Sequence, residues 1–70
     1  MNVETIEQYK VVASDGSYRV FDKYQGAKRE YGIWCKAIEK DEEGWVELYY
    51  RKGIKGKWEL LQEFGYDEED

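Results

Sequence analysis

The stretch Trp45-Val-Glu-Leu-Tyr-Tyr-Arg-Lys-Gly-Ile-Lys-Gly-Lys-Trp-Glu-Leu-Leu-Gln-Glu-Phe64 sets two aromatic-rich runs on either side of a basic loop punctuated by glycine, and it reads as a β-hairpin. In the first run Val46, Leu48 and Tyr50 share one face and Trp45, Glu47, Tyr49 and Arg51 the other, the period of two expected of a half-buried strand. Gly53 and Gly56 supply the positive-φ freedom that a reversal needs. In the second run Trp58, Leu60, Gln62 and Phe64 alternate onto one face and complete the hairpin. A short helix presenting Trp58, Leu61 and Phe64 is the less economical reading. This hairpin makes the fold mostly β.

Just upstream, Asp41-Glu42-Glu43-Gly44 is a turn leading straight into Trp45. Before it, residues 26–40 read two ways. Ala27, Tyr31, Trp34, Cys35 and Ile38 make a helical stripe that Gly26 and Asp41 would bound. Against a helix stand an interior Gly32, which costs ~1 kcal/mol relative to Ala, and the β-prone run Tyr31-Gly-Ile-Trp-Cys35. The turn at 41–44 favours strand–turn–strand, so a strand is the preferred reading. Further upstream, Ser14-Asp15-Gly16 separates two β-prone runs, which predicts strands at about 7–13 and 17–23 joined by a tight turn. A short helical turn at 2–7, capped by Asn2 or Thr5, is a further expectation. Five strands in meander order result. So small a sheet, apolar on both faces, is expected to curl into an SH3-like barrel or a similar antiparallel meander. The runner-up is α+β, with a helix at about 26–40 packed on the sheet.

Seventy residues allow one domain, expected at 1–66. A chain this short buries only ~60% of its unfolded surface. Seven Tyr, three Trp and two Phe are the compensation, since each aromatic buries ~150–250 Å². One cysteine excludes an intramolecular disulfide, and the absence of histidine removes the commonest metal ligand and the neutral-pH acid/base group. A reduced, cytosolic setting is the expectation, with no membrane partner, because no apolar run reaches the ~18 residues of a span. The net charge is −5, of which Asp67, Glu68, Glu69 and Asp70 carry four. The body is therefore nearly neutral, and residues 67–70 read as a disordered acidic tail. Arg51, Lys52, Lys55 and Lys57 make the hairpin tip basic, while Asp41, Glu42 and Glu43 make the preceding turn acidic.

No catalytic or cofactor chemistry emerges. Cys35 lies in an apolar run with only Lys36 near it in sequence, so a small buried hydrophobe is expected rather than a nucleophile. The carboxylates cluster on a turn and at a terminus, where water keeps them ordinary, and they lack the spacing of a calcium loop. The Gly53-Ile-Lys-Gly-Lys57 loop lacks the spacing of a phosphate cradle. No cofactor or metal is expected.

A small, non-enzymatic protein-interaction module is the reading that remains. In general character the chain resembles small acidic viral inhibitors that occupy the nucleic-acid sites of host proteins, a likeness of composition carried by no motif. It implies a protein partner with a basic surface, met by Glu42, Glu43, Asp67, Glu68, Glu69 and Asp70, with Trp45, Tyr49, Tyr50 and Trp58 as desolvated anchors. The alternative is a nucleic-acid-binding strip of Arg51, Lys52, Lys55 and Lys57 interleaved with Tyr49 and Trp58 and joined by Lys28 and Arg29. Open sheet edges and surplus aromatics add the expectation of a homodimer.

Overall fold

The computed structural model describes residues 6–66. They form strands β1 (Glu7–Ala13) and β2 (Tyr18–Phe21), helix α1 (Tyr24–Asp41), and strands β3 (Gly44–Lys52) and β4 (Glu59–Tyr66). The strands make one antiparallel sheet in the order β2-β1-β3-β4. The tail at 67–70 lies outside the described residues. So does most of the helical turn expected at 2–7, and Glu7 itself already begins β1.

The first hairpin follows from its turn. Gly16 takes φ +94°, the Ser17 N–H donates to Asp15 Oδ1 at 2.8 Å, and the Ala13 N–H donates to the Ser17 carbonyl at 2.8 Å. This is the reversal that Asp-Gly favours. The second hairpin turns at Gly53, with φ +81°; Gly56 does not take a positive φ.

The segment 24–41 is a helix, which corrects the preferred strand and replaces the five-stranded barrel with an open four-stranded sheet covered on one face. The physical reason is burial. Coiled as a helix, the segment delivers Ala27 and Tyr31 to the core and packs Trp34, Cys35 and Ile38 against it, whereas a strand would leave one of two apolar faces in water. The acidic turn that favoured a strand terminates the helix instead. Glu42 adopts the left-handed conformation (φ 57°, ψ 35°) and its N–H bonds the Ile38 carbonyl at 2.8 Å, an αL C-cap.

Topology then fixes where the core sits. To connect edge strand β2 to inner strand β3, α1 must cross β1, so it covers the β1–β3 seam. Val11, Val46 and Leu48, with Val11 opposite Leu48, are fully buried beneath Ala27 and Tyr31. Burying each of these three side chains stabilises by roughly 1.5–3 kcal/mol. The opposite sheet face carries no covering element among the described residues. A register shift between Leu48 and Tyr49 breaks the alternation in β4: Gln62 and Phe64 lie opposite Leu48 and Val46, but Leu60 lies opposite Tyr49. Leu60 therefore faces away from the helix, and the single face expected for Leu60, Gln62 and Phe64 is split by the bulge. Among the described residues no helix is long and apolar enough to cross a membrane.

Candidate functional site

Two regions bring together residues of binding character, one at each end of β3. The first is a cleft of about 960 Å³ where the C-terminal half of α1 overhangs the start of β3. Its apolar wall is Ile33, Trp34, Ala37 and Ile38, four residues of α1. Its other side is the β1–β2 turn and the first residues of β3, with Tyr66 at the end of β4. Asp15, Asp41 and Glu43 border it, all exposed, and among the described residues no Lys or Arg does.

Local chemistry holds the cleft in shape. The Ser14 N–H donates to the Trp45 carbonyl at 2.9 Å and the Trp45 N–H donates to Ser14 Oγ at 3.1 Å, tying the turn to β3. Gly44 sits beneath them with φ +92°, and a Cβ there would lie 2.7 Å from Ser14 Oγ and 3.1 Å from Ile38 Cδ1. Only glycine fits this backbone at so close an approach. Trp34 is oriented by its indole N–H, which donates to Glu30 Oε2 at 2.9 Å; the same oxygen pairs with Arg19 of β2 at 3.2 Å. The Asp15 carboxyl is held below the usual range by hydrogen bonds from Ser17, so it keeps its negative charge to lower pH.

The second region lies on the helix-free face. Arg51 stacks on Trp58 with its guanidinium carbon 4.3 Å from the ring centroid. Lys10 Nζ lies 4.7 Å from the same centroid and 5.8 Å from that of Tyr49. These are cation–π distances. Arg51 Nε donates to Gln8 Oε1 at 2.8 Å, and Tyr49 OH donates to Glu47 Oε1 at 2.6 Å. That hydrogen bond, with burial behind it, pushes the Tyr49 phenol up. Glu47 stands directly opposite Glu63, so the face carries carboxylates as well as cations. Like charges so placed destabilise a strand pair.

The expected site residues thus divide. Trp45, Tyr49 and Trp58 belong to β3 and the segment entering β4, with Tyr49 and Trp58 meeting at Lys10. Tyr50 faces the other way, its ring 5.3 Å from that of Tyr9 and its OH donating to Glu7 at 3.4 Å. Glu42 and Glu43 form the α1–β3 turn beside the cleft. Asp67, Glu68, Glu69 and Asp70 lie outside the described residues. In the alternative strip, Arg51 joins Tyr49 and Trp58, Lys52 ends β3, and Lys55 and Lys57 are exposed in the β3–β4 connection. Lys28 and Arg29 do not join them, because they ride on α1. Lys28 reaches β4 from the helix side, donating to Gln62 Oε1, and lies over the Tyr31 ring.

Sequence reasoning missed Lys10, Asp15, Trp34, Asp41 and Tyr66 as site residues. Asp41 had a signal in the acidic run. The others had none, because they come from β1, the β1–β2 turn, α1 and β4. Cys35 is half-buried and burial pushes its thiol up, with the Tyr31 hydroxyl acting in the opposite sense; it stays a thiol at neutral pH. Among the described residues no group of three metal-ligating side chains is assembled. Neither a family model, nor a curated protein, nor a solved structure matches this chain.

Proposed function

We propose that this chain is a non-enzymatic protein-interaction module that grips a basic segment of another protein in the cleft between α1 and the β1–β2 turn. One observation carries the reading. The cleft combines an aliphatic and aromatic wall with a border of a single sign, Asp15, Asp41 and Glu43. A Lys or Arg side chain entering it lays its apolar stem along Ile33 and Trp34 and its charge beside carboxylates. A nucleic-acid-handling protein presents such basic segments, and occupying them is how a viral-type inhibitor would act.

The test is peptide titration by fluorescence of the cleft tryptophans. Lys/Arg-rich peptides with interspersed aliphatic residues should bind, and binding should weaken as salt rises. Asp41→Lys with Glu43→Lys should abolish it while circular dichroism stays native. Equal affinity for an acidic peptide, or binding indifferent to the double reversal, would refute the reading.

A second reading has its own support in the Lys10, Arg51, Tyr49 and Trp58 cluster, a pairing of cations and rings that single-stranded nucleic acids use. The opposed Glu47 and Glu63 on the same face, and the net charge of −5, weigh against it. A gel shift with single-stranded DNA and RNA at low salt decides: no retardation, or retardation unaffected by Arg51→Glu, removes it.

A further inference from the structure

The cleft and the basic loop sit at opposite ends of β3, since β3 starts at Gly44 beside the cleft and ends at Lys52 where the loop begins. The nine residues of β3 separate them by about 30 Å at ~3.3 Å per residue, along a molecule whose longest extent is 45 Å. The loop is built as the cleft's complement. Ile54 is 47% exposed at its tip, an aliphatic side chain in open water. Lys52, Lys55 and Lys57 flank it in sequence, all exposed. An apolar tip among three lysines answers an apolar wall bordered by three carboxylates.

We infer that the 52–57 loop of one copy docks into the cleft of the next, so that the protein assembles head to tail. Ile54 enters against Ile33 and Trp34, and the lysines pair with Asp15, Asp41 and Glu43. The loop cannot reach the cleft of its own chain across the length of β3, which makes the contact intermolecular. It is also heterologous: each copy uses a different patch from its neighbour and leaves one cleft and one loop free. Such a contact, with its two patches at opposite ends, grows an open chain rather than closing a two-fold dimer. The net charge of −5 on each copy opposes assembly, but screening confines that repulsion to ~8 Å at physiological salt, whereas the loop and cleft charges meet at contact. This inference rests on the cleft's preference for basic segments, and it names the chain itself as one source of them.

Sedimentation and light scattering over a wide concentration range test it. At low salt the weight-average mass should climb past twice the 8.4 kDa protomer mass without a plateau, and it should fall back to the protomer at high salt. Lys55→Gln with Lys57→Gln neutralises the loop, and Asp41→Lys with Glu43→Lys reverses the cleft. Each double variant alone should be monomeric. Mixed, they should form a 1:1 heterodimer and nothing larger through the intact cleft of the first and the intact loop of the second. Ile54→Asp should abolish assembly even at low salt. A wild-type protein that stays monomeric at high concentration and low salt, a mass that stops at the dimer, or a mixture that gives no heterodimer would each overturn the inference. If basic peptides bind the cleft while copies ignore one another, the interaction module stands and self-assembly alone falls; if neither binds, both fall.

Discussion

Replacing Gly32 with alanine should make this domain more stable, and the size of the gain follows from the helix around it. Gly32 lies inside α1, and a Cβ built there meets nothing within 4 Å. The substitution adds no collision and fills no cavity, so its effect is the backbone term alone. A helix-interior glycine is ~0.8–1 kcal/mol less favourable than alanine because it loses more conformational freedom on folding. For a domain of this size about 1 kcal/mol raises Tm by roughly 4–8 °C. Urea unfolding followed by circular dichroism should show a higher midpoint with an unchanged m value, because the area exposed on unfolding hardly changes. Gly32 does not line the cleft, so peptide affinity should match the wild type. A fall in stability would refute the reasoning, since alanine is penalised here only if residues 26–40 are not a helix or that side of the helix is covered.

Three other perturbations probe the core and the cleft. Leu48 is fully buried over the β1–β3 seam, and Leu48→Ala should cost about 2–5 kcal/mol, a large share of the roughly 4–10 kcal/mol expected of a chain of this length; a denaturation midpoint near wild type would contradict the burial. Gly44→Ala should cost roughly 1–3 kcal/mol, from its positive φ and the approach to Ser14 and Ile38, and should weaken peptide binding through the displaced turn, read by the same titration. The Tyr31 phenol is pushed up to about 12, first by burial and then by Cys35 and Glu63. Below pH 10 the folded and unfolded forms both keep that proton. Between pH 10 and about 12 only the unfolded form loses it, so stability should fall across that window by on the order of 2 kcal/mol. Urea midpoints on either side of the window, with phenolate absorbance, check it; stability constant through pH 11 would contradict the shift.

Much of the sheet was legible because strands and tight turns announce themselves locally. Asp15-Gly16 located the first reversal, and β1 spans 7–13 as expected. In β3 the grouping of Val46, Leu48 and Tyr50 on one face holds, with Val46 and Leu48 buried, since alternation there is set by the pleat alone. In β4 the same logic failed, because a bulge is a relation between two strands and leaves no mark on one. Residues 26–40 were read as a strand on the strength of Gly32, a cluster of β-prone residues and the turn that follows at 41–44. The residue preferences are local, about 1 kcal/mol each, the turn serves equally to end a helix, and burying Ala27 and Tyr31 with Trp34, Cys35 and Ile38 packed against them outweighs all three.

The sequence by itself determined which residues were apolar at which period, where the chain reverses, and that charge is segregated into an acidic turn and a basic loop. Only the tertiary structure decided which of two amphipathic readings α1 takes, because that choice depends on the sheet it covers. Only the tertiary structure, too, brought Asp15, Trp34, Asp41, Glu43 and Tyr66 around one cleft and set Lys10 on Trp58. Their proximity comes from a helix crossing β1 and from strands pairing out of chain order, and both arrangements exist once distant segments bury one another.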